Sequence, residues 1–402
     1  MEKCLFCDCD LNPGSEEHLF LSALGGRVAT HRATCAQCNN AFASEATGKV
    51  DDALADGFKD VRNGLKVWSG RNGAPPTLVK AGTLPDGGEF DLAPGFIPVM
   101  RPGRIPDTSQ LTPGSELVLT ARDVADAKRM LDILAKRGLT ATAGRATSVQ
   151  TKVPTVLRSS SFDGLKVWRT VGKTAVVAFV VLYGNEQARR FVTNELRAAI
   201  RYGNPPINNF VGWDFTNESP EVIALQPHDR TPDAQPSGFE HSVVIADVQS
   251  HSVAYVTLFG GWRFSTVLGP KTGLPTRGLA VNPRSLKPAR FIVTAHAPGS
   301  YVQKNPDSFS AEHAHVLAGH QTAYKQALQK WSDESHASYA QGLVDELETI
   351  LQTCGDDESR RVAAITTFAE KMAALEHGEK WTTDLDAVFD EDEGPGGRIA
   401  GG

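Results

Sequence analysis

Two short cysteine pairs constrain the fold of this chain more than any other feature. Cys4 and Cys7 form one CxxC pair and Cys35 and Cys38 form another; with Cys9 they make up all but one of the chain's 6 cysteines. Each pair can bite one zinc ion, and together they complete a tetrahedral site with no open position, which makes the zinc structural. Whatever lies between the pairs must then fold against the metal. Cys7-Asp8-Cys9 offers a competing ligand, but the CxxC bite selects Cys4 and Cys7. Met1-Glu2-Lys3-Cys4 carries no apolar segment of the secretory kind. Paired cysteines without one favour metal over disulfides, in a reducing cytoplasm. Cys354 stands apart and reads as a half-buried free thiol.

The segment between the pairs holds the dipeptide Glu17-His18, an apolar turn and Gly25-Gly26. A zinc site alone has no use for an acid-histidine dipeptide. Hydrolysis of a phosphodiester does: it needs a base for the attacking water, usually histidine near neutral pH. It also needs a cation at the leaving oxygen, and hard cations such as Mg²⁺ take carboxylate and amide oxygens. Glu17, His18 and Asn39 supply these groups. In a strand, adjacent side chains point to opposite faces, so one of Glu17 and His18 can hold a metal while the other turns to substrate. Asn39 directly follows the second pair at the start of an expected helix, where zinc would fix its aim. Arg27 and Arg32 are candidates for phosphate contact, or surface charge.

These residues resemble a family. Cys4-x2-Cys7, Ser15-Glu16-Glu17-His18-Leu19, Ala23-Leu24-Gly25-Gly26-Arg27 and Cys35-x2-Cys38-Asn39-Asn40-Ala41-Phe42 are similar to HNH endonucleases of the ββα-metal fold. The specific match covers residues 4 to 58, and the subfamily reads CxxC, EEH, LGG, CxxCNN. The resemblance implies a metal-dependent DNA endonuclease that leaves a 5′ phosphate. His18 would be the general base, Glu17 and Asn39 the ligands of catalytic Mg²⁺ or Mn²⁺, and the four paired cysteines the holders of structural Zn²⁺. The sequence departs from the family where a middle asparagine usually precedes the second pair. Thr30-His31-Arg32-Ala33-Thr34 stands there, with His31 the candidate to hold the loop. The rival reading is a zinc-dependent module that binds nucleic acid or protein without cutting. DNA is the expected partner, with RNA, a second copy of the chain, or an activator left open. A role in defence rests on analogy alone.

The 402 residues carry a net charge of −6, which argues against a dedicated nucleic-acid binder but not against a nuclease that must release product. No apolar run is long enough to span a membrane. The expected class is α+β: the zinc-stapled nuclease module at 1–58, a mixed helix and strand domain at 70–300, a helical segment at 308–378, and a disordered acidic, glycine-rich tail at 383–402. Helical spacing predicts helices over 50–68, 121–137 and 186–202, and two long ones over 310–376 broken near Gly355. The stretch 69–117 reads as loops and short strands, and His241–Val248 and Ser252–Phe264 as antiparallel strands. The run Val171–Tyr183 reads as a strand by propensity. Its similarity, with Leu196–Gly203, to a helical region of large bacterial HNH proteins favours a helix. Gly172-Lys173-Thr174 looks like the end of a phosphate loop, but Val167 stands where that motif needs glycine.

Overall fold

The computed structural model describes residues 2–11, 15–44, 49–69, 73–84, 87–105, 107–108, 117–139, 147–150, 164–214, 220–287, 289–299, 309–376 and 381–384. The chain opens with β1 (Glu17–His18), β2 (Ala29–Thr30), α1 (Ala36–Phe42), α2 (Val50–Gly57) and α3 (Lys59–Gly64). Then come β3 (Leu78–Thr83), β4 (Glu89–Ala93), β5 (Ile97–Met100), α4 (Val124–Lys136) and β6 (Thr147–Gln150). Three helices follow, α5 (Gly164–Tyr183), α6 (Asn185–Phe191) and α7 (Asn194–Tyr202). The next run is all strand: β7 (Val211–Trp213), β8 (Glu221–Pro227), β9 (His241–Val248), β10 (His251–Leu258), β11 (Trp262–Pro270), β12 (Arg277–Val281) and β13 (Arg290–His296). The last elements are α8 (Phe309–Cys354), α9 (Glu358–Glu376) and β14 (Trp381–Asp384). The class is α+β, and among the described residues no helix is long and apolar enough to cross a membrane.

One compact unit gathers Met1–Leu78, Pro94–Phe96 and Arg158–Ser332. Its sheet runs β7-β11-β10-β9-β12-β13-β8, antiparallel at every pairing. Tyr255 of β10 sits opposite Val244 on one side and Ser265 on the other. Helix α5 lies across β9 to β12 and is flanked by α2, α6 and α7. That setting explains its conformation. A β-branched run suits a strand only if the strand finds sheet partners. Here Val176, Val177, Ala178, Phe179 and Val180 are each at most 2% exposed, and an apolar helix is stable where every side is covered.

The cysteine-rich segment is not a separate domain. Cys4, Leu5, Leu19, Phe20, Leu24, Cys38 and Phe42 belong to one continuous buried cluster with α5 residues and with Val243, Phe259, Trp262 and Val281 of the sheet region. The divisions expected from sequence at 58 and 70–300 therefore do not follow the compact units. Residues 1–78 join 158–332, because the short segment buries its apolar side against α5 and the sheet.

The second unit gathers Val79–Ala93, Ile97–Leu157 and Asp333–Gly402. It holds the β3-β4-β5 sheet, α4, the β6–β14 pair and α9. The break between α8 and α9 falls at Gly355, with φ +58°. Asp357 caps α9 by accepting from the Ser359 and Arg360 amides at 3.0 and 3.1 Å. Two expected helices are interrupted. The one over 186–202 breaks at Thr193, whose hydroxyl caps α7 by accepting from the Leu196 amide at 3.3 Å. The one over 50–68 breaks at Phe58, between α2 and α3. Of the tail expected at 383–402, Thr383 and Asp384 instead end β14, paired with Ser148 and Thr147 of β6, and 385–402 lies outside the described residues.

Candidate metal centre and the acid-histidine hairpin

The sulfurs of Cys4, Cys7, Cys35 and Cys38 all lie within 4.8 Å of one another. A zinc–sulfur bond of about 2.3 Å puts the sulfurs of a tetrahedral site just under ~4 Å apart, so the four residues fit a Zn²⁺ ion. Both turns aim amides at sulfur: Phe6 N–H at Cys4 and Cys38 N–H at Cys35, each at 3.5 Å. Cys9 is exposed and outside the cluster. Without a cation the sulfurs compete for protons. A hydrogen bond from Cys38 pulls Cys4 down to about 5, and the same bond pushes Cys38 up. Burial raises Cys7 to about 12. Four thiolates can share this volume only around a metal.

Helices α6 and α7 surround the centre with donors. Asn185 gives its amide to the Lys3 and Arg32 carbonyls at 3.0 and 2.7 Å. Arg189 donates to the Cys4 carbonyl at 3.3 Å and to Asp8 at 2.6 Å. Arg197 donates to the Leu5 carbonyl at 3.1 Å, and Arg201 beside Cys38 pulls that thiol downward. Zinc with four thiolates carries a net −2, and these guanidinium groups lie where they offset it. Arg189 is therefore not a plain surface charge.

The hairpin is short: Glu17 sits opposite Thr30 and His18 opposite Ala29. Leu24-Gly25-Gly26 shapes its loop. Gly25 has φ +85°, and a Cβ there would lie 2.4 Å from the Pro283 carbonyl oxygen. A Cβ on Gly26 would lie 1.8 Å from the Phe20 carbonyl oxygen. Arg27 completes the attachment, donating to the Ser285 carbonyl at 2.9 Å. Its guanidinium is thus committed to protein. Arg32 is exposed and held by Glu2, with Nε 2.8 Å from Oε1. Neither arginine meets a phosphate without rearranging these bonds.

Glu17 and His18 divide as strand neighbours do: Glu17 is buried and His18 half-buried. Asn39 joins them from α1, its Nδ2 donating to the Glu16 carbonyl at 2.7 Å. Its Oδ1 consequently points the other way. His31 Nδ1 lies 2.6 Å from the Ser15 carbonyl, which ties the segment before the hairpin to the loop after it. Glu17 reaches Lys173 of α5, with 3.1 Å from Oε1 to Nζ, and Lys173 also meets Asp51 Oδ2 at 2.6 Å. Burial raises the Glu17 pKa, with Lys173 pulling the other way. Burial also works against the Lys173 charge, but Glu17 and Asp51 outweigh it and hold the ammonium above its usual value. Thr34 is near enough to draw Glu17 down, yet among the described residues Glu17 Oε2, which is buried, has no hydrogen-bond partner. Sequence reasoning missed Asp51 and dismissed Lys173. The signal was a lone lysine inside an apolar helical run, which must find a buried counter-charge.

No protein-family model matches the chain, and no curated protein or solved structure matches it. The functional reading therefore stands on the residues themselves. Among the described residues Glu17 Oε2 is buried without a hydrogen-bond partner, and Asn39 carries an amide oxygen; both are donor types that a hard divalent cation takes.

Proposed function

We propose that this chain is a metal-dependent endonuclease of the HNH type that hydrolyses DNA. The observation that supports it best is the bond from Asn39 to the Glu16 carbonyl at 2.7 Å. It joins α1 to the residue just before the acid-histidine strand, across 23 positions of sequence, which supports one local assembly of the three candidate residues. Glu17 and Asn39 would hold Mg²⁺ or Mn²⁺, which when bound supplies positive charge to the leaving oxygen. His18, half-buried on the other side of β1, takes the proton of the attacking water. The zinc centre fixes the origin of α1, and with it Asn39. A cytoplasmic setting and a role in defence belong to the same reading.

A second reading has its own support. Glu17 is held in a buried ion pair with Lys173, an arrangement that also suits a non-catalytic, zinc-stapled binding module. Plasmid cleavage by the purified chain with Mg²⁺ or Mn²⁺ separates the two. The nuclease reading expects cutting that disappears in His18→Ala while zinc content and fold stay unchanged. Equal inactivity of both proteins, zinc-loaded and folded, favours the binding module.

A further inference from the structure

Lys173 cannot be a residue that visits the substrate. It is 1% exposed, it emerges from the middle of a helix packed on every side, and its ammonium is fully engaged. Two of its protons go to Glu17 and Asp51. The rest of the charge faces the ring of Phe42, 4.8 Å from its centre. A lysine placed only to fill the core would be a poor choice, since apolar residues of the same volume stabilise as well or better. The arrangement also contains more acid than one lysine needs. Two carboxylates share one ammonium. Among the described residues each keeps a buried oxygen without a hydrogen-bond partner, Oε2 of Glu17 and Oδ1 of Asp51.

We propose that Lys173 and Asp51 are positioning residues of the divalent-metal centre. Lys173 grips Glu17 through Oε1 and so presents Oε2 to the metal, and Asp51 anchors Lys173. The inference rests on the reading of Glu17 as a metal ligand. Groups that orient a ligating carboxylate through its second oxygen typically govern metal affinity without touching the metal. A rigid helix is a better mount for such a group than a loop. Phe42 links the arrangement to zinc: it lies on α1, the helix that also carries Cys38 and Asn39.

The test is Mn²⁺ binding by the full-length, zinc-loaded protein, measured by calorimetry, with zinc content and circular dichroism as checks of fold. Wild type, Glu17→Gln, Lys173→Met and Asp51→Asn are compared. The expected result is Mn²⁺ binding by wild type and its loss in Glu17→Gln. Lys173→Met should weaken it by about 10–100-fold with zinc retained, and Asp51→Asn should weaken it less, in the same direction. Wild-type affinity in both Lys173→Met and Asp51→Asn overturns the proposal and leaves a structural ion triad. Tighter binding in Lys173→Met also overturns it, because lysine would then be competing for the metal's seat. No Mn²⁺ binding by wild type, or binding that survives Glu17→Gln, overturns the ligand role of Glu17 and this inference with it. Should Lys173→Met fail to fold, Asp51→Asn decides, since that side chain is 18% exposed and keeps its volume.

Discussion

The imidazole of His241, at the start of β9, lies with Nε2 2.8 Å from the carbonyl oxygen of Leu24 in the hairpin loop. Its other nitrogen accepts the Phe259 amide at 3.0 Å, so Nε2 carries the hydrogen and donates to Leu24. The side chain is fully buried and flanked by the rings of Phe20 and Phe259. The hairpin that carries Glu17 and His18 is thereby fastened to the sheet by a neutral histidine.

Protonation of His241 should loosen this attachment. Burial lowers its pKa from 6.5 to about 4, against a smaller raising effect of the Leu24 carbonyl. The unfolded chain therefore binds the proton first as pH falls. The His241 contribution is fully present above about pH 6.5 and is lost as pH drops towards 4, worth about 3 kcal/mol over that window. Urea unfolding at a series of pH values should show this slope. In His241→Gln, which keeps a donor and an acceptor but does not titrate, the slope should flatten.

Asn185 uses both amide hydrogens on carbonyls of the cysteine-rich segment. Asn185→Ala leaves those two carbonyls without this donor in a half-buried place and should cost about 1–3 kcal/mol. Asn185→Asp should be worse, because it turns carboxylate oxygens towards carbonyl oxygens. Thermal unfolding of the zinc-loaded variants measures both.

The loop glycines should be intolerant in a defined order. Gly25→Ala adds a side chain at φ +85° and meets the Pro283 backbone, for a loss of about 2 kcal/mol or more. Gly26→Ala drives a Cβ into the Phe20 carbonyl and should destabilise further, since backbone rather than a mobile side chain must yield. Chemical denaturation would reveal the order, and a Gly26→Ala protein as stable as Gly25→Ala would contradict it.

How much of this was legible in the sequence depends on the distance over which each residue acts. Cys4, Cys7, Cys35 and Cys38 announce themselves because metal chelation demands a fixed local spacing. The Gly355 break and the β9–β11 strands are equally local signals. Thr193 also carries a local signal, a capping threonine, but the helical spacing on both sides masks it. Propensity alone makes Val171–Tyr183 a strand, and the helix that the resemblance favoured forms instead, for a reason that is not local. Propensity describes a residue's own preference, whereas burial on all sides by α2, α6, α7 and the sheet decides here. Asp51, Lys173, Asn185 and His241 were invisible as partners, since each pairs with a residue more than a hundred positions away and no spacing rule connects them.

Cys9 provides the sharpest check of the metal centre. It sits two residues from Cys7, it is exposed, and it lies outside the four-sulfur cluster. If the cluster is the zinc site, the purified protein should carry one zinc per chain. Cys9→Ser should keep that stoichiometry and the wild-type thermal midpoint. Cys38→Ser should lose both, because Cys38 is 1% exposed within the shared core and its removal leaves three thiols without a complete tetrahedron. Chelation of wild type should then reproduce the Cys38→Ser midpoint, as binding free energy at a structural zinc site is folding free energy. Zinc content by atomic absorption and melting by circular dichroism decide it. Loss of zinc in Cys9→Ser would show that Cys9, rather than Cys7, completes the site.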